Sequence, residues 1–177
     1  MARACAGDVA ALQELFRAYQ PGVLRFLRAL EPRAADDLAG EVWLAVAERL
    51  HAFDGDDAGF RAWLFTIARN RLADHRRRAA RRPRLVPLHA VGDPAEGCDA
   101  DPGVVAVEQL SAQEAVDRLV AALPPDQAEV VLLRVVGGLS VDQVATLTGR
   151  RPGTVRVIQH RALKRLVRSF ASEAVTR

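Results

Sequence analysis

The chain has little of what builds metal sites or disulfide-stabilised folds. Only two of its 177 residues are cysteines, Cys5 and Cys98, and neither has a second cysteine or a histidine at metal-ligand spacing. This argues against both a disulfide framework and a zinc site. The chain has four histidines, namely His51, His75, His89 and His160. No two of them form a ligand pair on one helix face, and no nucleophile motif accompanies them. We therefore expect no metal, no cofactor and no catalytic residue.

Long apolar runs are also absent. No stretch approaches the roughly 20 residues that span a membrane, and the first residues lack the apolar core of a signal peptide. We expect a cytoplasmic protein with no membrane insertion. Lysine is nearly absent too, since Lys164 is the one lysine among 25 cations. We attribute this mainly to the composition of a GC-rich genome, although guanidinium groups also suit phosphates and guanine edges.

The periodicity of apolar residues predicts an all-α fold. Half of the residues are apolar, which allows a packed core, and they recur at helical spacing with almost no strand-like alternation. We predict helices after Asp8, after Pro21, over about 34–50, 58–80 and 104–122, between Pro124 and Gly137, after Ser140 and from Pro152. Residues 83–102 are rich in proline and glycine and predict a linker. The predicted organisation is two small helical domains, 1–80 and 105–177, joined by a linker over 81–104.

Positive charge is concentrated in two segments of the chain. Residues 61–84 contain nine arginines and one acid, Asp74, whereas residues 150–168 contain seven basic residues and no acid. A solvated helix face usually mixes both signs. Clusters of one sign instead indicate a polyanionic partner, and we interpret both segments as binding nucleic acid.

The second basic segment has the pattern of a helix-turn-helix. Ser140 and Gln143 have the spacing of a capping box, Gly149 supplies a left-handed stop, and Pro152 suits a first helical position. The next helix is expected to bury Val155, Ile158, Ala162 and Leu166. A short helix, a tight turn and a longer basic helix are typical of motifs that insert one helix into the major groove. The alternative is an ordinary helical corner, which leaves the all-basic exposed side unexplained.

Four short segments in this part of the chain carry a family pattern. They are residues 122–134 (Ala-Leu-Pro-Pro-Asp-Gln-Ala-Glu-Val-Val-Leu-Leu-Arg), 138–140 (Gly-Leu-Ser), 153–156 (Gly-Thr-Val-Arg) and 160–163 (His-Arg-Ala-Leu). Together they resemble region 4 of bacterial sigma factors, in the form found in the small extracytoplasmic-function subfamily. In that family the module binds the −35 promoter element. The resemblance implies DNA contacts from Arg151, Thr154, Arg156, Val157, Gln159, His160, Arg161 and Lys164.

The N-terminal half carries a second pattern of the same subfamily. Residues 60–70 (Phe-Arg-Ala-Trp-Leu-Phe-Thr-Ile-Ala-Arg-Asn) and 74–78 (Asp-His-Arg-Arg-Arg) resemble sigma region 2. In the family this helix and the preceding loop open the duplex at the −10 element and hold the non-template strand. The resemblance implies −10 contacts from Phe53, Asp56, Arg69, Asn70, Arg76, Arg77 and Arg78. We expect Trp63 to be a core residue, because of its spacing from Phe60 and Ile67.

Residues 35–44 (Ala-Asp-Asp-Leu-Ala-Gly-Glu-Val-Trp-Leu) look like the polymerase-binding helix of region 2. In the family this surface docks on the clamp helices of the polymerase β′ subunit. The resemblance implies that the contacts come from a stripe at helical spacing, made of Asp37, Glu41, Leu44 and Glu48. The opposite stripe is the expected core and consists of Leu38, Val42, Ala45 and Val46. In the helix predicted over 58–80 the expected core stripe is Phe60, Leu64, Ile67, Ala68 and Leu72. One departure is Gly40, which stands where the family usually has glutamine.

The resemblance covers about residues 8–80 and 105–170 and implies an alternative sigma factor. Such a protein joins core RNA polymerase through the β′ clamp helices and the β flap, recognises the −35 and −10 elements of promoter DNA, helps to melt the start region, and is commonly held by an anti-sigma factor. One alternative is a stand-alone regulator with the same helix-turn-helix and an N-terminal dimerisation or sensor domain. Another is an enzyme with a DNA-binding tail, for which the sequence offers no carboxylate cluster.

Overall fold

A computed structural model describes residues 1–81 and 102–175, with side chains up to 81 and again at 112–169 and 171. The helices in these ranges are α1 (Ala2–Cys5), α2 (Val9–Leu30), α3 (Ala35–Arg49), α4 (Asp57–Arg81), α5 (Pro102–Ala121), α6 (Pro125–Val135), α7 (Val141–Thr148) and α8 (Pro152–Val175). A single 3-10 turn, Leu50–Ala52, follows α3. The prediction of an all-α fold is confirmed.

Asp8 begins α2, as the sequence predicted. Its Oδ1 accepts hydrogen bonds from the backbone N–H groups of Ala10 and Ala11, at 2.9 and 3.2 Å. Arg3, on the unpredicted helix α1, donates from Nε to Asp8 Oδ2 at 2.8 Å. This side-chain hydrogen bond, followed by the bond from Ala11, holds the pKa of Asp8 below its ordinary value.

Helix α2 corrects the prediction that a second helix begins after Pro21. The structure has one continuous helix with Pro21 inside it, although an interior proline costs about 3 kcal/mol through its missing N–H and its ring. Ala11 before the proline and Val23 and Phe26 after it are buried in the same core. Burial of both halves on one face offsets the cost. The helix ends at Leu30, as expected from Pro32.

Helices α2, α3 and α4 pack around an aromatic core. Phe26 and Phe65 are fully buried, with their rings edge to face at 5.6 Å. The predicted core stripes are confirmed, since all of the following are buried: Leu38, Val42, Ala45 and Val46 of α3, and Phe60, Leu64, Ile67, Ala68 and Leu72 of α4. Trp63 is half-buried and packs against this core, as predicted, with its ring 5.8 Å from that of Phe60.

Helices α6, α7 and α8 form the helix-turn-helix unit. The capping box at Ser140 is confirmed: its Oγ accepts from the N–H of Gln143 at 3.1 Å, and Gln143 Oε1 accepts from the N–H of Ser140 at 2.8 Å. Gly149 ends α7 in the left-handed region, at φ 66°. The buried side of α8 is the predicted one, made of Val155, Ile158, Ala162 and Leu166.

The two halves of the chain are packed together. Helices α5 and α6 contact α2, and one apolar cluster contains both Phe65 of α4 and Val130 of α6. Most of the predicted linker over 81–104 lies outside the described residues. Its two ends are helical, because α4 runs to Arg81 and α5 already begins at Pro102.

Candidate nucleic-acid interface

The exposed face of α8 carries most of the side chains predicted to contact a −35 element. Gln159 is half-buried, and the others are exposed: Arg151, Thr154, Arg156, Val157, His160, Arg161 and Lys164. Because α8 buries its apolar side on α6 and α7, the polar side faces outward. The helix-turn-helix therefore presents its longer helix in the way that insertion into a groove requires.

The charge on this face is unbalanced. In the part of the chain that the structure describes, no carboxylate lies within ion-pair distance of Arg156, Arg161 or Lys164. By contrast, Arg150 in the turn before α8 lies 3.9 Å from Asp126. The donors of α8 are thus not neutralised by neighbouring acids and remain available to phosphates and base edges.

Arg134 joins α6 both to the turn before α7 and to α8, a contact that the sequence reasoning missed. Its Nη1 donates to the carbonyl oxygen of Leu139, in the turn before α7, and its Nε donates to Gln159 Oε1 at 3.3 Å. The side-chain amide of Gln159 keeps two N–H donors beyond this contact. The sequence holds a signal for this contact, because Arg134 is a cation inside the apolar run of α6. Such a side chain must bury its aliphatic stem and find hydrogen-bond acceptors for its guanidinium group.

Arg69 and Asn70 lie midway along α4, and the structure treats them differently. Asn70 is exposed. Arg69 is half-buried, and its Nε donates to Oε1 of Glu129 on α6 at 2.8 Å. The predicted −10 residue is thus paired with an acid from the C-terminal half of the chain.

The three arginines near the end of α4 also have local partners. Arg76 donates from Nη2 to the carbonyl oxygen of Leu30 at 2.7 Å, Arg77 pairs with Asp74, and Arg78 lies 3.6 Å from Glu41. All three side chains are exposed. Exposed ion pairs contribute about 0–1 kcal/mol, so a phosphate can replace the acids beside Arg77 and Arg78 at little cost.

The other two predicted −10 residues have structural contacts. Phe53 is half-buried, with its ring 5.7 Å from that of Phe60 and 5.3 Å from that of Trp63. Asp56 accepts a hydrogen bond from the backbone N–H of Gly59 at 2.7 Å, which satisfies a donor at the start of α4. These contacts rigidify the loop over residues 53–56, which α4 follows at Asp57, and a role in DNA binding remains a prediction for both residues.

The stripe predicted to bind polymerase lies on the outer face of α3. Asp37, Leu44 and Glu48 are exposed, with Leu44 exposed by 67%, and Glu41 is half-buried beside Arg78. An apolar groove of about 390 Å³ runs along the nearby surface between α2 and α3, lined by Val9, Leu12, Phe16, Trp43 and Ala47 among others. The outer face of α3 therefore combines acids with apolar surface.

The described residues hold neither a metal-binding cluster nor a membrane-spanning helix. Across 1–81 and 102–175, no group of three or more histidine, cysteine or acidic residues is placed to hold a metal ion. None of the helices in those ranges is long and apolar enough to cross a membrane.

Two family models match the chain. The model of sigma-70 region 2 matches residues 15–82, and that of sigma-70 region 4 matches residues 113–166. The matches fall on the two halves that contain the candidate −10 and −35 residues, which confirms the prediction of a two-domain helical protein.

Curated proteins are similar over nearly the whole chain. The ECF RNA polymerase sigma factor SigD of Mycobacterium tuberculosis is 38% identical over 172 residues, covering 94% of this chain and 80% of SigD. The ECF RNA polymerase sigma factor ShbA of Streptomyces griseus is 36% identical, covering 93% of this chain and 90% of ShbA.

Solved structures share the fold. CnrH, solved in complex with the cytosolic domain of CnrY, has a TM-score of 0.61 at 22% identity and covers 97% of this chain and 94% of its own. The sigma factor RpoE of Bartonella quintana, solved with the anti-sigma factor NepR, has a TM-score of 0.64 at 23% identity, covering 89% of this chain and 95% of its own.

Proposed function

Because the chain belongs to the extracytoplasmic-function subfamily of sigma-70 RNA polymerase sigma factors, and so directs promoter recognition for transcription initiation, we propose that it divides the promoter between its two basic surfaces. Helix α8 reads the −35 element as duplex DNA. The middle and the end of α4, with the loop over residues 53–56, hold the opened −10 strand. The observation that carries this proposal is the exposed basic face of α8, on which Arg156, Arg161 and Lys164 have no described carboxylate within ion-pair distance.

The roles on α8 follow from side-chain chemistry. Arg156 is placed to form two hydrogen bonds with a guanine edge, and the amide of Gln159 suits adenine. Thr154, Val157 and His160 line the same face and adjust base preference through van der Waals and single hydrogen-bond contacts. Phosphates are met by Arg151, Arg161 and Lys164, which set the register of the helix without reading sequence.

The −10 surface has a different task, because an opened strand presents unstacked bases. The guanidinium groups of Arg76, Arg77 and Arg78 follow the phosphate backbone. Arg69 and Asn70 contact the strand along the middle of α4. The loop that contains Phe53 and Asp56 receives a base turned out of the stack. Its aromatic packing and its cap bond pre-organise it for that role.

Polymerase supplies the catalysis, so this chain needs no catalytic residue and no cofactor. The stripe of Asp37, Glu41, Leu44 and Glu48 docks on the β′ clamp helices, and the C-terminal domain meets the β flap. We expect the protein to act in the cytoplasm, together with core polymerase. An anti-sigma factor is a further expected partner, as NepR is for RpoE of Bartonella quintana.

A reconstituted run-off transcription assay tests the proposal. Purified core polymerase of the host is combined with the protein and a fragmented genomic library, and the transcripts are sequenced. We expect defined start sites that appear with the full chain and are lost with Leu44→Asp. Transcripts that are independent of the protein, or a protein that footprints symmetric duplex half-sites without polymerase, would contradict the proposal and favour a stand-alone regulator.

A further inference from the structure

One ion pair joins a candidate DNA-binding residue to the opposite domain. Nε of Arg69 on α4 lies 2.8 Å from Oε1 of Glu129 on α6, and the side chains are 28% and 20% exposed. Partial burial reduces screening by solvent, so this pair is stronger than the surface pairs at the end of α4. The carboxylate offers Arg69 the same charge-assisted hydrogen bond that a phosphate oxygen offers. Glu129 therefore engages the Nε donor of Arg69 that a phosphate would otherwise use.

Further contacts cross the same boundary between the domains. Gln143 Nε2, at the start of α7, donates to the carbonyl oxygen of Ala58 at 3.3 Å. The guanidinium of Arg61 lies so close to Gly138 that a Cβ added there would come within 2.8 Å of Nη1. Apolar residues of the two domains belong to one cluster. We call this packing of the two domains the closed arrangement. It is held by apolar contacts together with a few polar ones, and among the polar contacts the Arg69–Glu129 pair joins two full opposite charges.

This closed arrangement cannot cover a promoter. The −35 and −10 elements are nominally about 25 base pairs apart, or roughly 85 Å at 3.4 Å per base pair. A compact chain of this length has a radius of gyration of about 16 Å and is about 40 Å across. Binding both elements therefore requires the domains to separate.

We propose that Glu129 competes with promoter DNA for Arg69, and that their ion pair latches the closed form, which must open before both elements are bound. This inference rests on the proposed function for the role of Arg69 on the −10 strand. The latch itself depends only on the contact between α4 and α6. Opening exposes Arg69 and releases the C-terminal domain in the same step, so that polymerase and promoter binding drive it together.

The size of the effect follows from the fraction of molecules that are open. When the closed form dominates, the apparent Kd for a strand that must engage Arg69 is the intrinsic Kd divided by the open fraction. A partly buried, charge-assisted pair changes such an equilibrium by roughly tenfold. Removing the charge of Glu129 is therefore expected to tighten binding of single-stranded DNA by about three- to tenfold, the lower figure applying if apolar packing keeps part of the population closed.

The experiment measures domain separation and DNA binding on the same full-length variants. Small-angle scattering reports the radius of gyration, and fluorescence anisotropy reports the Kd of a labelled 20-nucleotide single-stranded DNA pool of random sequence. The variants are Glu129→Gln, which removes the attraction, Glu129→Arg, which adds repulsion, and the charge swap R69E/E129R. Glu114→Gln is the matched control, because it removes one exposed carboxylate from α5 of the same domain.

We expect Glu129→Gln to enlarge the radius of gyration and tighten the Kd, and Glu129→Arg to do so more strongly. The charge swap restores the compact radius but leaves the Kd weaker than that of the native chain, because Arg69 is missing. An unchanged radius in both Glu129 variants overturns the latch, whatever the transcription assay shows. A larger radius with a Kd equal to that of Glu114→Gln overturns the competition, and with it the proposed role of Arg69 at the −10 strand.

Discussion

Lys164 offers a quantitative test of how α8 meets DNA. It is exposed on the same face as Arg156 but lies eight residues further along the helix, which is about 12 Å at 1.5 Å per residue. The major groove is itself about 12 Å wide. If Arg156 meets a base edge inside the groove, Lys164 lies at its border and meets a phosphate. Its removal should therefore weaken binding without changing base preference.

The expected magnitude comes from counterion release. Each phosphate contact contributes about −0.9 to the slope of log K against log salt concentration, so a rise from 50 to 200 mM salt weakens binding about 3.5-fold per contact. Lys164→Ala should reduce the slope of the holoenzyme by about 0.9. Competition by promoter fragments at several salt concentrations measures this slope, and the base preference should stay that of the native protein.

Arg118→Ala is the matched control, since it removes an exposed cation from α5 of the same domain and should leave the slope unchanged. A Lys164→Ala slope that equals the native slope would refute the placement of this residue at a phosphate. A loss confined to particular −35 sequences would refute it as well, because that pattern belongs to a base contact.

Three further predictions concern single positions. Arg156→Ala should change the preference at one −35 base pair by about 1–3 kcal/mol in competition against promoter variants, and an equal loss at every sequence would contradict its role. Leu44→Asp should weaken binding to core polymerase about tenfold or more by removing an apolar contact. An affinity for core polymerase equal to that of the native chain would argue against the α3 stripe. Gly40→Ala should raise the free energy of unfolding in urea by about 1 kcal/mol, because the site is helical and open around a new Cβ. Gly149→Ala should lower it by a similar amount, because Gly149 has φ 66°, and a fall for both would refute the reasoning.

The local structure of the helix-turn-helix was predictable because each signal acts within a few residues. The capping box at Ser140 involves Gln143, three positions away, and the left-handed stop needs only the missing Cβ of Gly149. Helical spacing likewise identified the buried sides of α3, α4 and α8. Pro21 misled the same reasoning, because a local helix breaker was overridden by burial of apolar residues on either side of it.

The contacts between the halves could not be predicted in this way. Arg69 and Glu129 are sixty positions apart, and no periodicity within α4 or α6 indicates that their side chains meet. The support of Gln159 by Arg134 is a similar case, since it joins two helices through a turn. Resemblance to the family predicted which side chains contact DNA or polymerase. The partners that these side chains have within this structure depend on how the whole chain packs, which a local sequence pattern does not show.

The division of the promoter between α8 and α4 is tested most directly by site-specific photo-crosslinking in the assembled initiation complex. A photoreactive amino acid is placed at His160 of α8 and, in a second protein, at Asn70 of α4, both of which are exposed. This division predicts crosslinks from position 160 to duplex DNA at the −35 element and from position 70 to the non-template strand at the −10 element. Crosslinks from both positions to the same element, or from position 70 to both strands of an unopened duplex, would contradict it.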